Sequence, residues 1–276
     1  MDKLYFTTAG IPLGSQKNTY ESGFELLDEL GLDGLELEFV RGVRMSEVSR
    51  ETVLEYSKRK DKVITAHAPF YINLNSKEEE KIINSIKYIT DTALTAGSAG
   101  AYSITYHAAY YMGDDKDKTY KAVYDANEKI GEFLKENSID IWVRPETTGK
   151  ATQWGDLEEI VKLSKEFDFV LPCVDFSHLH ARYAGKVNTY DEFAHIFEFI
   201  GNELGQNALE NFHAHIAGIE YSDKGEKKHL MLKESDFNYK DLMKAFADFK
   251  VKGVVVCESP VMEEDAVILK ETYNVF

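Results

Sequence analysis

The chain lacks most of the features that settle a protein's class at a glance. It has only two cysteines, Cys173 and Cys257, in 276 residues, and both fall in predicted buried strands, where they read as reduced, inert core thiols. No stretch approaches eighteen consecutive apolar residues, so no transmembrane helix is expected. The opening MDKLYFTTAG has no basic segment leading into an apolar one, so it reads as a mature start with a cytoplasmic location. No Pro/Gly/Ser-rich linker or low-complexity block breaks the chain, which predicts one domain over 1–276 with no membrane association and no evident protein partner. Basic residues are also in deficit. Lys and Arg number 32 against 48 Asp and Glu, a net charge of −16, which weighs against nucleic acid because phosphate binding normally rests on Lys and Arg. Net charge says little about one face of a protein, however, and bound cations bring positive charge to where a phosphate would sit.

What is present is a regular alternation. Strand-like runs fall at 4–9, 34–39, 62–68, 102–108, 139–146, 169–176, 211–217 and 253–259, and the segments at 19–30, 79–96, 120–135, 156–166, 189–203 and 239–250 carry helical periodicity. Strands alternating with helices imply parallel strands joined by crossovers. Eight such units fit a closed barrel, and the first strand is followed by Thr8-Ala9-Gly10-Ile11-Pro12, not by the glycine-rich phosphate turn of an open doubly wound sheet. The predicted class is α/β, a single (β/α)8 TIM barrel.

Histidines and acids cluster at the predicted C-terminal strand ends. His67 and His107 end strands three and four, Glu146 strand five, Asp175 strand six and Glu258 strand eight. His178 and His180 follow strand six, His213 and His215 lie on strand seven, and His229 falls in the loop after it. His195 sits in mid-helix and reads as a surface or packing residue, and the charged tract 113–118 as a solvated loop entering a helix. A barrel gathers its C-terminal strand ends around one mouth, and imidazole nitrogens with carboxylate oxygens are the donors zinc or manganese takes. Each residue alone has a plain structural reading, as a hydrogen-bonded histidine or as a helix cap. Carboxylates crowded without a cation would repel one another, and the coincidence over six strands favours a metal site. On strand seven, alternation puts His213 and His215 on one face. His215, nearer the mouth, is the preferred ligand, with His213 an alternative ligand or a donor supporting it.

These residues carry a resemblance to the endonuclease IV family of apurinic/apyrimidinic endonucleases, within the xylose isomerase-like barrels. The run His67-Ala68-Pro69-Phe70-Tyr71-Ile72-Asn73-Leu74 is similar to the family's H-x-P-Y-x-I-N-L segment, Glu146-Thr147-Thr148-Gly149-Lys150 to its E-[NT]-T-[AG]-G, Asp175-Phe176-Ser177-His178 to its D-x-x-H, and Cys257-Glu258-Ser259-Pro260 to its L-E-T-P. The resemblance spans nearly the whole chain in motif order. It implies a trinuclear zinc site; with the departure at Lys227, two or three ions are expected, zinc or alternatively manganese. His67 and His107 would hold one ion, with Glu146 bridging to a second that Asp175, His215 and Glu258 complete; His178 and His229 would hold a third. It implies hydrolysis of the phosphodiester on the 5′ side of an abasic sugar in duplex DNA, with Glu146 holding or activating the attacking water. Arg41, Arg44, Phe70, Tyr71 and Lys150, in loops at the same mouth, are the candidate DNA contacts; Arg41 and Arg44 read alternatively as solvated surface charge, and Phe70 and Tyr71 as loop packing. The chain departs from the family where an aspartate would stand two residues before His229. Lys227 occupies that place and Glu226 lies one residue earlier. His107-Ala108-Ala109 replaces the family's H-P-G, and Met231–Ser235 its glycine-rich segment. The competing readings are a one-metal sugar isomerase or epimerase using Glu146, Asp175, His215 and Glu258, which suits the acidic charge, and a metal-stabilised binding protein without activity.

Overall fold

The computed structural model describes residues 1–276. In chain order the elements are β1 (Leu4–Ala9), α1 (Tyr20–Glu29), β2 (Gly34–Glu38), α2 (Glu47–Ser57), β3 (Val63–His67), α3 (Glu79–Ser98), β4 (Ser103–Tyr106), β5 (Ala109–Tyr110), α4 (Lys116–Glu136), β6 (Trp142–Pro145), β7 (Gln153–Trp154), α5 (Leu157–Ser164), β8 (Val174–Asp175), α6 (Phe176–Arg182), α7 (Tyr190–Leu204), α8 (Gln206–Glu210), β9 (Phe212–Ile216), β10 (Gly218–Ser222), β11 (Gly225–Leu230), α9 (Tyr239–Asp248), β12 (Gly253–Cys257) and α10 (Glu263–Tyr273). No helix is long and apolar enough to cross a membrane. All eight expected runs contain a strand or, in the sixth, a short piece of one. Several helices start on side-chain caps: Thr19, Asp115 and Thr189 each accept a hydrogen bond from the first turn, and Asp156 and Thr189 form capping boxes with Glu159 and Glu192.

The chain divides into two compact units, one formed by Met1–Leu35 with Cys173–Phe276 and the other by Glu36–Pro172. In the first, β1, β12, β9 and β8 pair in parallel. The register aligns Thr7 with Val256, Val256 with His215, and His215 with Asp175, so these side chains form one row on one face. Gly253 opens β12 at φ 141°, where a Cβ would lie 2.0 Å from the Phe212 carbonyl oxygen; only glycine permits β9 to approach so closely. The opposite face is apolar. Phe176, Phe193, Phe197, Phe212 and Phe246 pack ring against ring, with Phe176 centroids 5.7 Å from both Phe197 and Phe246. This cluster anchors the junction of β8 and α6, the stretch that carries Asp175 and His178.

In the second unit β3, β4 and β6 pair in parallel, aligning Thr65 with Ser103 and Trp142, and His67 with Thr105 and Arg144. A single parallel bridge joins Val143 to Val170. On the other face Tyr106 donates to Asn127 of α4 at 3.3 Å. The antiparallel pair β5–β7 carries the segments that follow β4 and β6.

Two local expectations are corrected. The sixth run, expected over 169–176, forms a strand only at Val174–Asp175. Pro172 has no N–H to donate and interrupts the ladder. The residues after it are helical, because the Asp175 carboxylate accepts the His178 N–H at 2.6 Å and nucleates α6, so His178 and His180 ride on a helix. His229 lies not in a loop but on β11, half of the antiparallel hairpin β10–β11.

The aromatic cluster predicts a large cavity cost. Phe197→Ala removes a fully buried ring and should destabilise the protein by about 3–5 kcal/mol in urea unfolding. A loss under about 1 kcal/mol would mean that the cluster does not hold this unit.

Candidate metal centre

In the unit Glu36–Pro172, the ends of three strands place His67, His107 and Glu146 together. The His67 Nε2 lies 3.1 Å and the His107 Nε2 3.4 Å from the same Glu146 oxygen, Oε2, and the two rings are 5.6 Å apart. The His67 Nδ1–H donates to the Ala68 carbonyl at 2.7 Å, which fixes the tautomer and leaves Nε2 aimed at the cluster. Glu146 is buried. Two residues earlier, the fully buried Arg144 guanidinium stacks on Trp142 and Tyr102 and donates to the Pro172 carbonyl at 3.1 Å.

Two acids here escaped the sequence reading. Glu36 and Glu38 alternate along β2 with the buried Leu35 and Leu37, and Glu36 accepts from the Thr65 hydroxyl at 2.7 Å. Two glutamates at period two on a strand were the available signal. Both act on His67. Burial alone would favour its neutral ring, but the hydrogen bond and charge of Glu146, with the charges of Glu38 and Glu36, raise its pKa to about 10.

The other unit builds two further groups, which share Asp175. Ligand atoms of Asp175, His215 and Glu258 all lie within 4.8 Å of one another, as do those of Asp175, His178 and His229. His215 Nδ1 is 3.4 Å from Glu258 Oε1, and His178 Nδ1 is 3.3 Å from Asp175 Oδ2. His229 donates from Nδ1 to the Glu258 carbonyl at 3.1 Å, and its Nε2 lies 3.5 Å from His178 Nε2.

His213 lies one pair deeper on β9, beside Val254, and forms a buried group with Cys173 and His215. His180 is committed to structure, with Nε2 3.1 Å from Asp236 and Nδ1 3.1 Å from the Val187 carbonyl. His195 lies exposed on α7 and belongs to none of these groups. Phe70 and Tyr71 are 57% and 51% exposed, with rings 4.1 Å apart, in the segment after β3. Arg41 and Arg44 are both exposed after β2, and Lys150 is half-buried after β6. The donor chemistry of the three groups that contain a carboxylate, imidazole nitrogen with carboxylate oxygen, fits zinc or manganese.

The sequence profile of the xylose isomerase-like TIM barrel family matches residues 24–275. The chain belongs to this family. An uncharacterized protein of Methanocaldococcus jannaschii is 43% identical over 98% of this chain and 97% of its own length. A probable endonuclease 4 of Mycoplasma pneumoniae is 24% identical over 79% of this chain and 75% of its own. Among solved structures, a D-tagatose 3-epimerase-like protein has a TM-score of 0.74 at 19% identity, covering 98% of this chain and 97% of that one. Endonuclease IV from Thermus thermophilus has a TM-score of 0.73 at 16% identity, covering 98% of both. These likenesses fix the α/β, TIM-barrel-type fold. The endonuclease and the epimerase-like protein lie at nearly the same structural distance from this chain.

The charge state of His67 gives a prediction. A cation must displace the imidazolium proton, because only the neutral ring ligates. Below about pH 10 the proton competes, so binding at this group should tighten about tenfold per pH unit as pH rises and weaken as it falls. Zinc calorimetry at about pH 7 in buffers of different ionisation enthalpy should detect this proton leaving, and His67→Gln should abolish that part of the release. Equal proton release in wild type and variant would contradict it.

Proposed function

We propose that this protein is a metal-dependent phosphodiesterase that cuts duplex DNA at abasic sites, with two or three zinc ions and manganese as the substitute. The carrying observation is the His67–His107–Glu146 group, two imidazole nitrogens within 3.4 Å of one carboxylate oxygen. A one-metal sugar enzyme is served by Asp175, His215 and Glu258 with one further acid and has no use for a separate pair of histidines. The sequence similarity to a probable endonuclease 4 over most of the chain supports the same reading.

Bound divalent ions would supply the positive charge that offsets the phosphate and the charge developing on it. In this reading His67 and His107 hold one ion with Glu146, and Asp175, His215 and Glu258 hold another. Glu146 also orients the attacking water and takes up its proton. Phe70 and Tyr71 present exposed ring faces to fill the gap left by a missing base. Arg41 and Lys150 meet backbone phosphates. His213, lying below His215, supports that ligand. The ions also answer the charge objection, since each brings two positive charges to a chain of net charge −16.

The second reading, a one-metal sugar epimerase, is favoured by the compact Asp175–His215–Glu258 group and by the acidic charge. Incubation with a duplex bearing a single abasic site separates the two. Nicking in zinc, abolished by chelator and lowered about 10²–10⁴-fold by Glu146→Gln, is the expected result. An intact duplex, with a single ion bound per chain, would transfer the assignment to the epimerase.

A further inference from the structure

The chain has Lys227 where endonuclease IV places an aspartate, two residues before His229. In an unbroken strand, residues 227 and 229 share a face and Glu226 points away from it. The hairpin β10–β11 is not unbroken. Its register runs Gly218↔Leu230, Ile219↔His229 and Glu220↔Lys228, then jumps to Tyr221↔Glu226 and Ser222↔Gly225. Lys227 is an extra residue, a β-bulge, and it resets the alternation by one.

The side chains follow the reset phase. Lys227 and Lys228 both turn to Glu220, with Nζ 3.2 and 3.5 Å from its two oxygens. Glu226 and His229 turn to the opposite face, against α6. There Glu226 Oε2 lies 3.6 Å from His178 Nε2, and His229 Nε2 lies 3.5 Å from the same nitrogen. The second nitrogen of each ring is already engaged, His178 Nδ1 beside Asp175 and His229 Nδ1 on the Glu258 carbonyl. Both Nε2 atoms therefore face the same point. Tetrahedral zinc with bonds of about 2.0–2.1 Å sets its nitrogen ligands about 3.3–3.4 Å apart, close to the spacing found.

We infer that Glu226 is a metal ligand of this chain. With His178 and His229 it holds an ion of its own, and the bulge at Lys227 brings in the carboxylate from one residue earlier. This rests on the metal-dependent reading above and adds to it the ligand that the sequence lacks at its usual place.

The test counts metal. Wild type, Glu226→Gln, Glu226→Ala, and Glu226→Ala combined with Lys227→Asp are equilibrated with zinc, and bound metal is measured by atomic emission and by competition with a chelating dye. Thermal melting checks the fold of each variant. Glu226→Gln and Glu226→Ala should each lose about one ion, or hold it more than about tenfold more weakly, while the remaining ions keep their affinity. Adding Lys227→Asp should restore nothing, because that position faces Glu220. Unchanged stoichiometry and affinity in both single variants, or recovery on adding Lys227→Asp, overturns the assignment of Glu226 and leaves the wider reading intact. A wild-type chain that binds no zinc overturns both.

Discussion

Negative charge confined near imidazoles is the constraint on which the site depends. In one unit Glu36, Glu38 and Glu146 surround His67; in the other, Asp175, Glu226 and Glu258 stand among His178, His215 and His229. Carboxylates taken out of water are tolerable only beside a cation or a full set of hydrogen-bond donors. The His67 ring responds by holding its proton far into the alkaline range. A divalent ion is the stronger solution, because it satisfies several acids at once and lets the ring become neutral and ligate.

The scaffold fixes this chemistry before any ligand arrives. His67 and His229 are pinned through Nδ1 to backbone carbonyls, so their reactive nitrogens are set by main-chain geometry. Asp175 uses one oxygen to cap α6 and keeps the other toward the His178 ring. The phenylalanine cluster holds that junction from behind. Side chains locked in this way lose little freedom on binding, which is what preorganisation means in energetic terms.

Much of this was legible in the amino-acid sequence, and the gaps have physical causes. Eight strands announced themselves because buried parallel strands are short apolar runs bounded by turns. The sixth was overdrawn because a single proline inside an apolar run cuts a ladder without changing its hydropathy. The β10–β11 hairpin was missed because β11 reads Gly-Glu-Lys-Lys-His-Leu, a charged run that becomes a strand only through its partner. Glu36 and Glu38 were in plain view, but one strand's pattern does not say which of its faces looks onto histidines. Which residues share a group was visible only as motif order. Which atoms meet, such as both histidines on the single oxygen Glu146 Oε2, needed three dimensions.

The bulge at Lys227 also bears on how proteins of this kind are detected. A strand tolerates a one-residue insertion by kinking locally while both flanks keep their pairing, so an insertion there changes the spacing of a motif without changing what the motif presents in space. A search pattern that demands an acid at a fixed distance from the histidine discards such chains as degenerate. A pattern that permits one added residue, followed by a check for two adjacent side chains diverted to the outer face, retains them.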